Sequence, residues 1–357
     1  MRITFIHTAG APIHAQSLEE RPLGGTETAL ICLSQELHRI GHTVTVVGSV
    51  ENPPLSLPLY LPLRAIGDLA EQDVIIAVRD WSPLFLPIAA KKRLLWTGDS
   101  YDQPASVGLG DLRVAERIDR LLAVSSWHAD TLCAASGFPR DKALVLRNGV
   151  RLSLFNGDEP RIRKRLIYSS TPYRGLALLT GIFAELRKAH PDLELHVFSG
   201  LQVYQGAGID ENLAHTFEPL FTTLRATPGC TVHGNIKQEQ LAREYMRSSV
   251  LAYPNTFDET SCITAMEAQA AGCPIVSSAR GALPETVREA GILLSEQPGS
   301  PEYMAKFTST VDKLLSDDPL WMSYSKKAIA QAQGYDWSSI ARQFAEQLRA
   351  LLGGTAQ

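Results

Sequence analysis

Glu259 and Glu267, with seven residues between them, lie in the run Asp258-Glu259-Thr260-Ser261-Cys262-Ile263-Thr264-Ala265-Met266-Glu267. This run reads as a strand-to-helix turn. A helix starting near Ser261 points the amides of Ser261, Cys262 and Ile263 outward at its positive end, where phosphate is a natural guest. Carboxylates accept hydrogen bonds from sugar hydroxyls, so the pair suits a ligand that is both phosphorylated and rich in hydroxyls. The plainer alternative makes Glu259 a partner of the helix dipole and Glu267 an ordinary exposed helix residue. Met266, Ala270 and Cys273 read as core.

Two further segments invite the same chemistry. Leu23-Gly24-Gly25-Thr26-Glu27-Thr28 stands between the first strand and the first helix. Gly24 and Gly25 let the backbone approach a ligand, and a helix from Thr26 offers unpaired amides to an anion. A glycine turn with a threonine cap, and Glu27 in the first turn, explains the same residues. Tyr168-Ser169-Ser170-Thr171-Pro172-Tyr173-Arg174-Gly175-Leu176 follows a strand, where open α/β sheets place their ligands. There Ser170 and Arg174 can meet a diphosphate, with a capped helix and a surface arginine as the alternative. No GxGxxG, Walker, HExxH or CxxC pattern occurs, and no Asp-x-Asp pair falls at a strand end. Neither a dinucleotide cofactor nor a bound metal is therefore expected.

These segments need parallel sheets to hold them, and the chain provides the pattern. Strands are expected at Arg2–Ile6, Thr43–Val47, Val74–Val78, Arg93–Thr97, Leu121–Val124 and Leu144–Leu146, with helices at Thr26–Ile40, Pro83–Ala90 and Trp127–Ser136. A second series has strands at Leu166–Ser170, Leu193–Phe198, Thr231–His233, Val250–Tyr253, Pro274–Ser277 and Ile292–Leu294. Its helices are Leu176–His190, Gln238–Met246, Cys262–Ala271, Glu302–Leu315 and Leu320–Ala332. Asn52–Pro62, with four prolines, reads as loop or edge. The division is a first α/β domain over 1–150, a linker over 151–165, a second α/β domain over 166–336, and a last amphipathic helix over 337–357. The linker carries Arg161, Arg163, Lys164 and Arg165, read as solvated, with a face for anionic lipid or a phosphorylated acceptor as the alternative.

The 357 residues suffice for two domains; 45% are apolar and 20% charged, as in a globular protein with a sizeable core. A net charge of −4 gives no field for nucleic acid. Five scattered cysteines suit free thiols in a reducing cytoplasm. The N-terminal apolar run is too short for a signal peptide, and nothing approaches the roughly 18 apolar residues of a membrane span. Disorder is expected only at the tail, Gly353–Gln357.

In order along the chain, GGTE, NGV, YSSTPYRGL, HGNI, and DETSCITAMEAQAAGCPIVSS followed by GALPE resemble glycosyltransferase family 4, the group 1 glycosyl transferases. The resemblance spans nearly the whole chain, and the paired-glutamate segment is its most specific part. It implies a GT-B fold, two Rossmann-like domains with parallel sheets facing across a cleft, and transfer of a sugar from a nucleotide-diphosphate sugar with retention of configuration. The acceptor would be a saccharide, a lipid-linked molecule or a small molecule. Gly25 would leave room for the donor phosphates, Arg174 would fall at the family's basic residue, and Gly234 and Ile236 would line the base. Glu259 would contact the transferred sugar and Glu267 the ribose; Glu285 and the returning last helix are weaker transfers. The chain departs from the family pattern in three places. Ser169-Ser170 stands where an arginine is frequent, and the segment Trp96–Asp102 has Asp99 as its ionisable group but no histidine. Arg151 follows NGV where aspartate is common. A nucleotide-sugar epimerase of the same fold, a two-lobed ligand-binding protein and a non-catalytic transferase partner are the rival readings. A cytoplasmic protein, peripheral at the inner membrane face in one variant of the reading, is expected.

Overall fold

In a computed structural model of the chain, the described residues are 1–50, 53, 56–201 and 211–353. Residues 52, 54 and 55 of the proline-rich segment, and 354–357 of the tail, lie outside them. The chain divides into two units, Met1–Gly149 with the segment from Trp337 onward, and Val150–Asp336.

The first unit runs β1 (Arg2–His7), α1 (Ser17–Glu20), α2 (Gly25–Arg39), β2 (Thr43–Gly48), β3 (Leu59–Pro62), β4 (Gln72–Val78) and β5 (Ala90–Thr97). It continues with α3 (Leu112–Arg117), β6 (Arg120–Ala123), α4 (Ser126–Ser136) and β7 (Ala143–Val145). Its strands form one parallel sheet in the order β3-β2-β1-β4-β5-β6-β7. From Ile3 to His7 and from Val74 to Val78 every side chain is buried. A strand covered on both faces reads as an unbroken apolar run, which is why these two central strands were legible. β3 is an edge strand, where Pro62 removes no needed donor.

The helix expected over Pro83–Ala90 does not form. A single 3-10 turn, Ser82–Phe85, ends at Leu86, whose φ of −65° and ψ of 148° are extended. Leu86 precedes Pro87, whose ring disfavours helical ψ in the residue before it, and β5 begins at Ala90.

The second unit holds β8 (Ile162–Ser169), α5 (Leu176–Ala189), β9 (Glu194–Phe198), α6 (Glu211–Ala226), β10 (Cys230–Val232), α7 (Gln238–Arg247) and β11 (Ser248–Tyr253). After these come α8 (Ile263–Ala270), β12 (Ile275–Ser278), α9 (Leu283–Val287), β13 (Gly291–Leu294), α10 (Pro301–Ser316) and α11 (Asp318–Ala332). Its sheet is parallel, in the order β10-β9-β8-β11-β12-β13. That is the doubly wound order, with its switch point between β8 and β11.

The expected linker over 151–165 is not a free tether, because Leu152–Phe155 form a 3-10 turn and β8 starts at Ile162. Its basic residues are not a solvated face either. Arg161 donates to the carbonyls of Tyr245, Ser248 and Ala271. Arg163 meets Ser249, the Leu314 carbonyl and Asp318. Lys164 pairs with His190, and Arg165 with Glu194 and Glu244. These cations stitch β8 to its neighbours, which leaves little positive charge for a lipid headgroup.

The last helix, α12 (Trp337–Leu351), belongs to the first unit and packs on α2. It buries Trp337, Ile340, Ala341, Phe344, Ala345 and Leu348 in one core with Ile3, Phe5, Leu30 and Val44. Each large side chain so buried contributes about 1.5–3 kcal/mol, so this face ties the chain's end firmly to its beginning. Among the described residues no helix is long and apolar enough to cross a membrane.

Candidate functional site

In the second unit, the loops leaving β8 and β11 meet at the switch point. Gly175, at φ +96°, packs so closely on Pro254 that a Cβ there would lie 2.0 Å from the Pro254 carbonyl oxygen. Only glycine permits that approach, and it sets Arg174 over the second loop. The Arg174 guanidinium donates through one nitrogen to both oxygens of Glu259, at 3.0 and 3.1 Å. It also lies 4.6 Å from the ring centre of Phe257. Tyr253, the last residue of β11, donates its hydroxyl to Glu259, and Ser170 sits 3.3 Å from that hydroxyl. Glu259 is only 3% exposed, so its charge depends on Arg174 and Tyr253 for compensation.

α8 starts at Ile263, one residue later than the expected Cys262, because Cys262 is its cap in the left-handed region (φ 77°, ψ 76°). A left-handed non-glycine residue stores on the order of 1–3 kcal/mol and persists where the surroundings force it. Cys262 is buried, no side chain caps the helix, and Thr264 ties the helix head to the Ser169 carbonyl at 2.8 Å. The amides at that head face whatever lies beyond them. The hydroxyls of Ser261, just before that cap, and of Thr171, in the loop after β8, are buried without a hydrogen-bond partner. An unpaired buried hydroxyl is costly, and ligand oxygens would relieve it.

Glu267 belongs to a separate network. Gln238 donates to its Oε1 at 2.9 Å, and Arg151 donates to the Gln238 oxygen at 3.1 and 2.9 Å. Burial pushes the Glu267 carboxyl up to about 7, against the lowering by Gln238 and Arg151. It is therefore not the exposed helix residue of the plainer reading. Gly234 and Ile236 lie in the short loop between β10 and α7, with Ile236 packed on the core. Beside them the His233 ring stacks on Phe198, with centres 4.4 Å apart, and on His196 at 5.1 Å. Nothing in the sequence announced that stack, since it spans two strands. Glu285 falls in the short α9.

In the first unit, Gly24 caps α2 without a side-chain bond, and Gly25 is the first helical residue, one earlier than expected. Glu27 is not a solvated dipole partner. It is buried, 3.7 Å from His7 Nε2 at the end of β1, and a Cβ on Gly24 would come within 2.7 Å of its carboxyl. Neither His7 nitrogen has a hydrogen-bond partner. Burial, with the Arg79 charge second, lowers His7 to about 4, and burial raises Glu27.

Asp99, the ionisable group of the segment Trp96–Asp102, is one half of an ion pair. Arg79, left-handed at φ 68° just after β4, holds it at 2.8 and 3.2 Å. The loop that lacks a histidine in sequence receives one in space. His128 Nδ1 accepts from the Val124 amide at 3.3 Å, so Nε2 carries the proton and donates to the Asp99 carbonyl at 2.8 Å. His7, Arg79 and His128 were missed because each lies far along the chain from Asp99. The remainder of that loop, with Tyr101, Ser106, Leu109 and Asp111, lines a surface hollow of about 260 Å³ closed by Ala135 and Ser136. Among the described residues no group of three or more His, Cys, Asp or Glu side chains is arranged to hold a metal ion.

Residues 166–331 match the profile of the family described as Glycosyl transferases group 1. A D-inositol 3-phosphate glycosyltransferase from Mycobacteroides abscessus is 27% identical over 265 residues, covering 71% of this chain and 56% of that protein. The chain spans about half the length of the curated relatives it matches. A sucrose-phosphate synthase from Thermosynechococcus elongatus superposes with a TM-score of 0.72 at 18% identity, over 99% of each chain. Anabaena HepE in complex with UDP-glucose gives a TM-score of 0.72 at 17% identity, over 98% of this chain and 100% of that one. Two parallel α/β domains of the GT-B type are thus common to this chain and those structures. The segment that carries Arg174, Glu259, Glu267 and the head of α8 is thus the part of the chain that matches the group 1 glycosyl transferases.

Proposed function

We propose that the chain is a retaining, metal-independent glycosyltransferase that moves a sugar from a nucleotide-diphosphate sugar to a hydroxyl of a saccharide, lipid-linked or small-molecule acceptor. The observation that carries this reading is the Arg174–Glu259–Tyr253 cluster at the β8/β11 switch point, just before the uncapped head of α8. In it, the α8 amides and Arg174 hold the diphosphate. Glu259 accepts from the sugar's hydroxyls and Glu267 from the ribose, while Gly234 and Ile236 line the base. The first unit's own candidate residues are Gly24, Gly25 and Asp99.

As the bond between the anomeric carbon and the phosphate oxygen breaks, negative charge grows on the leaving diphosphate. Fixed amides and a guanidinium stabilise it without reorganising. The acceptor oxygen bonds to the anomeric carbon on the face that the diphosphate leaves, and its proton passes to a phosphate oxygen. Five free cysteines support a reducing, cytoplasmic setting.

Thermal unfolding with UDP, GDP and ADP in EDTA tests the donor site. At about 100 Kd, the matching nucleotide adds roughly 2.7 kcal/mol of stability. A shift that vanishes in EDTA and returns with Mg²⁺ or Mn²⁺ removes the metal-free part of the reading. No shift with any of the three removes the donor site itself.

A further inference from the structure

Arg151, Gln238 and Glu267 come from three separate segments and meet in one chain of hydrogen bonds. Arg151 follows Val150, whose amide is held by the Tyr335 carbonyl at 2.7 Å, so its backbone is anchored. Gln238 is the first residue of α7, and Glu267 lies on the second turn of α8.

An amide side chain can be read in two orientations, and here its partners decide between them. The Gln238 oxygen accepts from two Arg151 nitrogens, at 3.1 and 2.9 Å, so its NH2 group must face Glu267, 2.9 Å away. The flipped amide would set N–H against N–H on one side and oxygen against carboxylate on the other. Arg151 thereby fixes the polarity of the bond that Gln238 makes to Glu267, although the carboxylate's own bond is to Gln238.

That bond matters because Glu267 is buried. Burial favours its protonated form, and a donated hydrogen bond favours the ionised one. An ionised carboxylate accepts from two neighbouring hydroxyls at once, whereas a protonated one spends an oxygen as a donor. The titratable side chains that sense Glu267 are Tyr245 on α7 and Cys262 at the head of α8. Burial holds both well above their usual range, so they stay neutral. α11, also packed on α8, brings the buried Ser325 and Ala328, while its Lys326 and Lys327 are exposed. The permanent charge acting on Glu267 is Arg151.

We propose that Arg151 and Gln238 are positioning residues for nucleotide binding: Arg151 orients the Gln238 amide, and the oriented amide favours the ionised form of Glu267 as the acceptor for the two ribose hydroxyls. The proposal rests on the reading that Glu267 meets the ribose. It gives the arginine that follows NGV a task, where the family pattern has aspartate.

The test follows the side-chain carboxyl carbon of ¹³C-glutamate by NMR across pH 5–9 in the whole chain, with Glu267→Gln identifying the resonance. UDP, GDP and ADP affinities are measured in parallel. In Gln238→Leu and in Arg151→Leu the Glu267 midpoint should rise by about one pH unit or more, the scale of a lost charge-assisted bond. Affinity for the matching nucleotide at pH 7 should fall about tenfold and recover as the pH is raised past the new midpoint. That recovery is something a merely structural role would not produce. Both positions are half-buried, and a wild-type far-UV spectrum in either variant suffices for the test. A midpoint unmoved in the folded variants overturns the proposal. Midpoints that move while nucleotide affinity stays the same at every pH also overturn it, and locate the error in the ribose assignment of Glu267. A wild-type chain that binds none of the three nucleotides locates the error earlier, in the donor site.

Discussion

Residues with a chemical signature of their own were legible in the sequence; residues that act through space were not. Glu259, Glu267 and Arg174 stood out because their types and spacing matched a phosphate and hydroxyl ligand, and the structure brings Arg174 onto Glu259. His7, Gln238 and His128 gave no such signal. Gln238 meets Glu267 across 29 positions, and His7 is an ordinary strand-end histidine until its burial against Glu27 is seen. Arg174→Ala should weaken nucleotide-diphosphate binding about ten- to hundredfold, the worth of a charge-assisted contact, and leave nucleoside binding unchanged. Isothermal titration with both ligands checks this, and equal losses would mean a damaged fold instead. His7 makes a separate prediction. Its pKa falls from 6.5 to about 4 on folding, so between those values the unfolded chain binds more protons and stability falls as the pH is lowered. The loss approaches 3 kcal/mol, at about 1.4 kcal/mol per unit. Glu27, raised by burial, has the opposite sign, favouring the native state at low pH and withdrawing that support as the pH rises. His7→Gln should therefore flatten the acid limb between pH 6.5 and 4 in denaturant titrations; an unchanged slope would show that His7 does not titrate as a buried neutral group.

At the scale of elements, apolar periodicity located the central strands and the long helices, and proline chemistry decided the exceptions. Pro87 turned an expected helix into a turn and an extended approach to β5. Pro219 hid α6, which carries it in the helix interior. The polar run over 151–165 looked like a linker because its four cations resemble a solvated tether; Arg163, Lys164 and Arg165 belong to β8 instead, and the partners of all four lie tens of residues away, beyond any local pattern. The amphipathic pattern of α12 predicted one buried face, and that face is in the core of the first unit. Phe344, 1% exposed, should therefore be among the costliest truncations there. Phe344→Ala is expected to destabilise the protein by about 3–5 kcal/mol without touching the residues assigned to the donor. Urea unfolding checks it, and a loss below about 1 kcal/mol would mean that α12 is not bound where its apolar face implies.

For the molecule as a whole, a repeated strand–helix pattern was enough to read two parallel α/β domains. It could not say what is transferred, because donor and acceptor are chosen by contacts that no spacing rule describes. The central claim is that Glu259, held by Arg174 and Tyr253, works on the transferred sugar. Nucleotide-diphosphate release from a panel of UDP-, GDP- and ADP-sugars, compared between wild type and Glu259→Gln, tests it most directly. The amide keeps the shape and removes the charge, so free nucleotide should bind the variant almost as before. Turnover of the matching donor should fall ten- to hundredfold, roughly 1.4–2.7 kcal/mol in the barrier. Wild-type release by a folded Glu259→Gln protein would contradict the account.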